Sequence, residues 1–126
     1  MLDVAICGLR RGANFARVFP LFDSCRLSAV CDTDEALLRR FAAEVPDAQR
    51  FTHFEELLNT RPDICVVASP VAQHAEQSIA ALQASCHVLQ EVFLAETLEQ
   101  CRQLYQAVKA HPRQTFMLAE NCCYWH

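Results

Sequence analysis

A doubly wound α/β domain, with a mostly parallel six-stranded sheet in the order 3-2-1-4-5-6, is the fold this sequence predicts. Three observations lead there. Six apolar runs of strand length recur along the 126 residues, and longer segments of helical period separate them. A glycine turn closes the first run, and an acid closes the second. Strands that alternate with helices pair in parallel through right-handed crossovers, which puts helices on both faces of the sheet.

The elements come in order. Leu2 to Cys7 reads as the first strand, ending at Gly8. Gly12 to Phe22 is helical, with Phe15, Val18, Phe19 and Phe22 on one face and Pro20 predicting an irregular end. Leu27 to Cys31 is the second strand. A helix carrying Leu37, Leu38, Phe41 and Val45 comes next, capped by Thr33 or Asp34 and closed by Pro46. Gln49 to Phe51 suits an edge strand, and Phe54, Leu57 and Leu58 mark one or two helical turns. Ile64 to Ala68 is continuously apolar and β-branched, as a strand buried on both faces should be. Val71 to Ala84 is helical, with Ala75, Ile79 and Leu82 inward. His87 to Gln90 is a strand, and Thr97 to Ala110 a helix with Leu98, Cys101, Leu104, Tyr105 and Val108 inward. Phe116 to Ala119 is the sixth strand. No linker, repeat or low-complexity tract interrupts the alternation.

Composition narrows the function. At 52% hydrophobic and 21% charged residues the chain builds a real core and reads as one domain. The formal net charge of −4, with basic residues scattered, gives no footprint for nucleic acid or anionic membrane. No apolar run approaches a membrane span, and no secretory signal opens the chain, so it reads as cytoplasmic. Eight cysteines occur without a C-x-x-C pair. Cys7, Cys31, Cys65 and Cys86 sit in or beside strand runs, so free and mostly buried thiols are expected, rather than disulfides or a metal site.

In a doubly wound sheet, ligands bind beyond the carboxyl ends of the strands, where the strand order reverses. The turn there is Gly8-Leu9-Arg10-Arg11-Gly12-Ala13. A dinucleotide turn reads G-x-G-x-x-G/A, which assigns Gly8 to the tight turn and Ala13 to close helix–strand packing. Arg10 stands where the middle glycine would let the backbone approach a pyrophosphate. Gly12 is expected to take that part by shifting the turn, with Arg10 and Arg11 offering charge to phosphate oxygens. Asp32 comes 24 positions after Gly8, close to the ~20 expected of an acid that binds the adenosine ribose. It favours NAD by repelling a 2′-phosphate, while the two arginines leave NADP open. The plainer alternative is that Asp32 only caps a helix.

The later half carries a more specific pattern. Val66-Val67-Ala68-Ser69-Pro70 leads into His74-Ala75-Glu76-Gln77, then His87-Val88-Leu89-Gln90-Glu91, then Ala119-Glu120-Asn121. Throughout its length the chain resembles the nucleotide-binding half of the glucose–fructose oxidoreductase / inositol dehydrogenase (Gfo/Idh/MocA) family. That half is a Rossmann domain with A-T-P-N-x-x-H-A-E-Q, H-V-L-x-E-K-P-L and E-N stretches. The resemblance implies an NAD(P)-dependent oxidoreductase of sugars, cyclitols or related polyols. It implies that Ser69, Pro70 and His74 lie beside the cofactor, that Glu91 faces the nicotinamide ribose, and that Asn121 lies near the nicotinamide.

The departures matter as much. Glu91-Val92-Phe93 stands at the family's E-K-P, so Val92 replaces the lysine that serves catalysis. Lys109, the single lysine, lies on a helix and does not substitute. Val71 replaces the usual asparagine. The chain stops at Tyr124-Trp125-His126, where the family's second domain, with the substrate pocket and a D-x-x-x-H helix, would begin. Hydride transfer needs donor carbon, nicotinamide and an acid or base in near-attack geometry. Residues 1–126 are therefore expected to bind dinucleotide without efficient turnover, with a small-molecule substrate engaged only alongside a second domain.

Three readings stay open: the cofactor domain of an oxidoreductase, a regulatory module that lost catalysis, and a domain that binds no dinucleotide. Cys122, Cys123 and His126 make a poor metal chelate and read as a strand-end cluster. His53, His87 and His111 read as structural or solvent-facing, and Glu55-Glu56 as a solvated helix face. Tyr124 and Trp125 are expected to form an exposed apolar patch that promotes self-association into a homo-oligomer.

Overall fold

The structure, a computed structural model, describes residues 1–124. The Tyr124–Trp125 patch and His126 expected from the sequence fall outside the described side chains. Six strands form one sheet: β1 (Leu2–Cys7), β2 (Cys25–Cys31), β3 (Gln49–Phe51), β4 (Ile64–Val67), β5 (His87–Gln90) and β6 (Phe116–Leu118). Their order is β3-β2-β1-β4-β5-β6, and every pairing is parallel. This is the predicted Rossmann-like arrangement. Five α-helices connect the strands: α1 (Leu9–Val18), α2 (Glu35–Phe41), α3 (Phe54–Leu58), α4 (Val71–Gln83) and α5 (Leu98–Ala110).

The two faces of the sheet carry separate cores, as strand alternation requires. Val4, Ile6, Val30 and Val66 pack with Leu9 and Ala16 of α1 and with Leu38 and Phe41 of α2. Ala5, Cys7, Cys31, Cys65 and Val67 pack with Leu57 of α3, Ala81 and Leu82 of α4, and Leu104 of α5. No helix of the first set reaches β6, so Met117 remains 48% exposed.

Helix α1 differs from expectation in start and face. It begins at Leu9, directly after Gly8, and ends at Val18, where Phe19–Leu21 continue as a 3-10 turn containing Pro20. Its buried residues are Leu9, Gly12 and Ala16, whereas Val18 and Phe22 are exposed. Of the expected face, Phe15 and Phe19 do pack half-buried against this core, while Leu9, Gly12 and Ala16 form the fully buried line where α1 lies close against β1. A Cβ on Gly12 would meet Ile6 Cγ2 at 2.6 Å. Helix α5 similarly buries only Leu104 fully and leaves Leu98 and Tyr105 exposed. Its start is held by a capping box between Thr97 and Gln100. Asp34, not Thr33, caps α2 by accepting the amides of Ala36 and Leu37.

Strand β2 carries one extra residue against β1. Val4 pairs with Leu27 but Ala5 pairs with Ala29, leaving Ser28 as a bulge whose hydroxyl donates to the Val4 carbonyl at 3.2 Å. The bulge sets Ile6 beside Val30 and Cys7 beside Cys31, and so aligns the ends of the two strands, from which Gly8 and Asp32 emerge.

Cys7, Cys31, Cys65 and Cys86 are buried free thiols. Cys31 and burial together push the Cys7 thiol far above the ordinary range, and Cys31 is lowered by accepting its hydrogen bond. Burial raises Cys65, and pushes Cys86 up to about 11.

Candidate dinucleotide site

The site grows from the crossing of two turns. Gly8, at φ +89°, leads out of β1 and donates to the Cys31 carbonyl at 2.9 Å. A Cβ at Gly8 would collide with the carbonyl carbon and oxygen of Ala68 and with the Ser69 nitrogen. The turns after β1 and β4 therefore meet backbone to backbone, at the point where the strand order reverses. Only glycine meets both demands, the dihedral and the space.

Helix α1 starts here with its amides toward the strand ends. The Leu9 N–H donates to Asp32 Oδ2 at 2.8 Å, and the Gly12 N–H donates to the Gly8 carbonyl. The amides of Arg10 and Arg11, in the same first turn, have no intrahelical carbonyl to reach, so the helix end offers a two-amide cradle for an anion. Asp32 is half-buried, and its Oδ1 accepts the Asp34 amide at 2.9 Å. Each carboxylate oxygen keeps a further lone pair for ribose hydroxyls. Thus Asp32 does hold a helix end, but that of α1 instead of α2.

Several expected roles change. Gly12 does not shift the turn; it sits inside α1 and performs the close helix–strand packing assigned to Ala13, which is half-buried. Arg10 and Arg11 are exposed, each with a carboxylate nearby. Arg10 Nη2 lies 3.6 Å from Asp34 Oδ2, and Arg11 Nη2 lies 3.5 Å from Glu91 Oε2.

A cleft of about 400 Å³ opens between α1 and the ends of β5 and β6. Arg11, Glu91, Val92 and Asn121 line it, so four expected positions converge there. Asn14, Phe15, Met117 and Glu120 line it too and were not anticipated. Asn14 was legible as a polar residue on the same helical side as Arg10 and Arg11. A second hollow, about 610 Å³, lies between α1 and α2 beside Arg10 and Asp34.

Ser69 and Pro70 form the turn from β4 into α4, against Gly8, and His74 follows in the first turn of α4. The Ser69 hydroxyl donates to Gln77 Oε1 at 2.5 Å, and Pro70 is the exposed residue that opens α4. His74 is 1% exposed, with Nε2 at 2.7 Å from the Ser69 carbonyl and Nδ1 at 2.8 Å from the Phe93 carbonyl. Both ring nitrogens face main-chain carbonyls. Lys109 lies over the Tyr105 ring in the last turn of α5. That turn leads toward the amino end of β6, whereas Val92 follows the carboxyl end of β5. Among the described residues, no three His, Cys, Asp or Glu side chains are grouped for a metal ion, and no helix is long and apolar enough to cross a membrane.

Comparison with known proteins agrees with this geometry. The family model described as "Oxidoreductase family, NAD-binding Rossmann fold" (GFO_IDH_MocA) matches residues 2–119. A "Glycosyl hydrolase family 109 protein 2" from Shewanella sp. (strain ANA-3) is 32% identical over 124 residues, 90% of this chain and 27% of that protein. The crystal structure of myo-inositol 2-dehydrogenase from Lactobacillus plantarum matches with TM-score 0.92 and 26% identity, over 98% of this chain and 38% of that one. The WlbA dehydrogenase from Chromobacterium violaceum, in complex with NADH and UDP-GlcNAcA, matches with TM-score 0.85 and 26% identity, over 95% and 35%. The chain thus spans about a quarter to two fifths of the length of these relatives.

Proposed function

The chain belongs to the Gfo/Idh/MocA family of oxidoreductases, in the part that forms its NAD-binding Rossmann fold, and on that footing we propose that residues 1–126 are a dinucleotide-binding domain without efficient turnover of their own. The observation that carries this reading is the Gly8 turn, where two backbones meet with no room for a Cβ beside an amide-lined helix end and the Asp32 carboxylate. The α1 amides of Arg10 and Arg11 hold the pyrophosphate, and Asp32 accepts the adenosine ribose hydroxyls. Glu91, Val92 and Asn121 border the nicotinamide end. NAD, when bound, supplies the hydride acceptor.

NAD is favoured over NADP. Asp32 and Asp34 both stand where a 2′-phosphate would arrive, and Arg10 is already paired with Asp34. Val92 supplies no proton donor or acceptor at the lysine position. The substrate class is a sugar or cyclitol, as with the inositol dehydrogenase neighbour. A glycoside is the second reading, supported by the glycosyl hydrolase name of the Shewanella relative. A regulatory, non-catalytic binding module remains the alternative function, supported by Val92.

The test is a calorimetric titration with NADH, NADPH and ADP-ribose. Saturable binding of NADH and ADP-ribose, with NADPH weaker, is expected. Absence of binding by all three at millimolar concentration would overturn the reading.

A further inference from the structure

Two buried polar side chains grip the segment just after β5. Gln90, the last residue of β5, is fully buried. Its Oε1 accepts the Ser78 hydroxyl of α4 at 2.7 Å. Its Nε2 donates to the Leu94 carbonyl at 2.9 Å, with longer approaches to the carbonyls of Phe93 at 3.3 Å and Glu91 at 3.4 Å. From the other side His74 Nδ1 reaches the same Phe93 carbonyl, while Nε2 reaches Ser69. The Phe93 carbonyl therefore lies within hydrogen-bond distance of both an α4 histidine and a β5 glutamine. The Phe93 side chain, by contrast, is 74% exposed and contributes little packing.

This arrangement is hard to explain by stability alone. Burying an imidazole and a carboxamide costs free energy unless their partners are well placed, and apolar residues of similar volume would fill the space more cheaply. All the partners in the gripped segment are main-chain carbonyls of residues 91–94, the stretch that carries Glu91 and Val92 into the cleft. Backbone carbonyls so held fix the path of a short loop that has little core of its own. The loop is also tied at its start, where the Glu91 amide donates to the Val67 carbonyl at 2.8 Å.

We infer that His74 and Gln90 are positioning residues, which set the Glu91–Leu94 segment so that Glu91 and Val92 form the wall against the nicotinamide half of the cofactor. This rests on the dinucleotide reading above for the ligand, but not for the clamp itself. It also separates two halves of one ligand. The adenosine and pyrophosphate half meets Gly8, α1 and Asp32; Gln90 touches none of these, and His74 approaches them only through the Ser69 carbonyl.

The test uses His74→Ala and, as a shape-preserving second variant, Gln90→Met, each checked for cooperative thermal unfolding. Binding of NADH and of ADP-ribose is measured by calorimetry, and the emission of bound NADH reports the nicotinamide surroundings. Amide hydrogen exchange of Glu91, whose amide ties the start of the loop to Val67, is measured in the absence of ligand. The expected result is about a tenfold or greater loss for NADH, less than twofold for ADP-ribose, and altered NADH emission. Exchange at the Glu91 amide should rise at least tenfold while β1 stays protected. Equal losses for both ligands, or unchanged exchange at Glu91 in either folded variant, would overturn the inference. Should the wild-type chain bind neither ligand, the dinucleotide reading fails and the exchange measurement alone decides whether the clamp exists.

Discussion

The carboxylate of Asp32 accepts the backbone amide of Leu9 at 2.8 Å, joining the residue after β2 to the first residue of α1. One side chain thereby bridges two strand ends and sets the helix end that would receive a pyrophosphate. A negative charge at this position also interacts favourably with the positive end of α1. On the proposed reading a ligand-binding role is superposed on this structural one in Asp32, and substitutions should reveal both.

Asp32→Asn keeps the shape and one acceptor oxygen but removes the charge, while Asp32→Ala removes both acceptors. NADH affinity should fall about tenfold in the first and about a hundredfold in the second, since hydrogen bonds to charged groups contribute about 1.5–3 kcal/mol. Titration calorimetry checks the ratio. Asp32→Ala should also lower stability by about 1 kcal/mol through the lost helix-end contact, read by urea unfolding.

The two glycines, the only ones in the chain, should respond differently to alanine. Gly8→Ala drives a Cβ into rigid backbone at a positive φ, so the turn must open. Loss of cooperative folding, or destabilisation of several kcal/mol, is expected. Gly12→Ala meets the Ile6 side chain at 2.6 Å, which can partly give way. Overpacking of this kind typically costs about 1–3 kcal/mol. Equilibrium denaturation distinguishes the two.

Cofactor preference should be tunable at Asp34. Asp34→Ser keeps a helix cap for α2 but releases Arg10 from its ion pair. The NADH/NADPH affinity ratio is expected to fall about tenfold, with stability changed by less than about 1 kcal/mol because the pair is exposed. Parallel titrations with the two nucleotides measure it.

The buried thiols predict a pH dependence. Cys86 titrates near 9 when unfolded and at about 11 when folded. A raised folded value means its contribution is fully present below pH 9 and is lost as pH rises through 11. Denaturation at stepped pH should show stability declining across that window, a decline reduced in Cys86→Ala. Alkylation of the native chain at pH 8 should modify the exposed Cys122 and Cys123, while Cys7, Cys31, Cys65 and Cys86 react only after unfolding.

What the sequence by itself determined is the alternation of six strands with helices, hence the parallel order and the edge at which a ligand binds. Those arise from periodicity and crossover handedness, which are local rules. The Gly8 turn and Asp32 were legible for the same reason, as residues at strand ends. What only the tertiary structure decided are relationships across the chain. The Ser28 bulge sets the register that brings Asp32 to Leu9, and nothing in the local pattern of β2 announces it. The Gly12–Ala16 line of α1 was obscured because the larger phenylalanines beside it dominated the periodicity. His74 has a family position that suggested cofactor contact, yet packing of α4 against β5 turned both its nitrogens to carbonyls of Ser69 and Phe93. A side chain's partners depend on which distant backbone is folded beside it, and that information is not carried by its own neighbours in sequence.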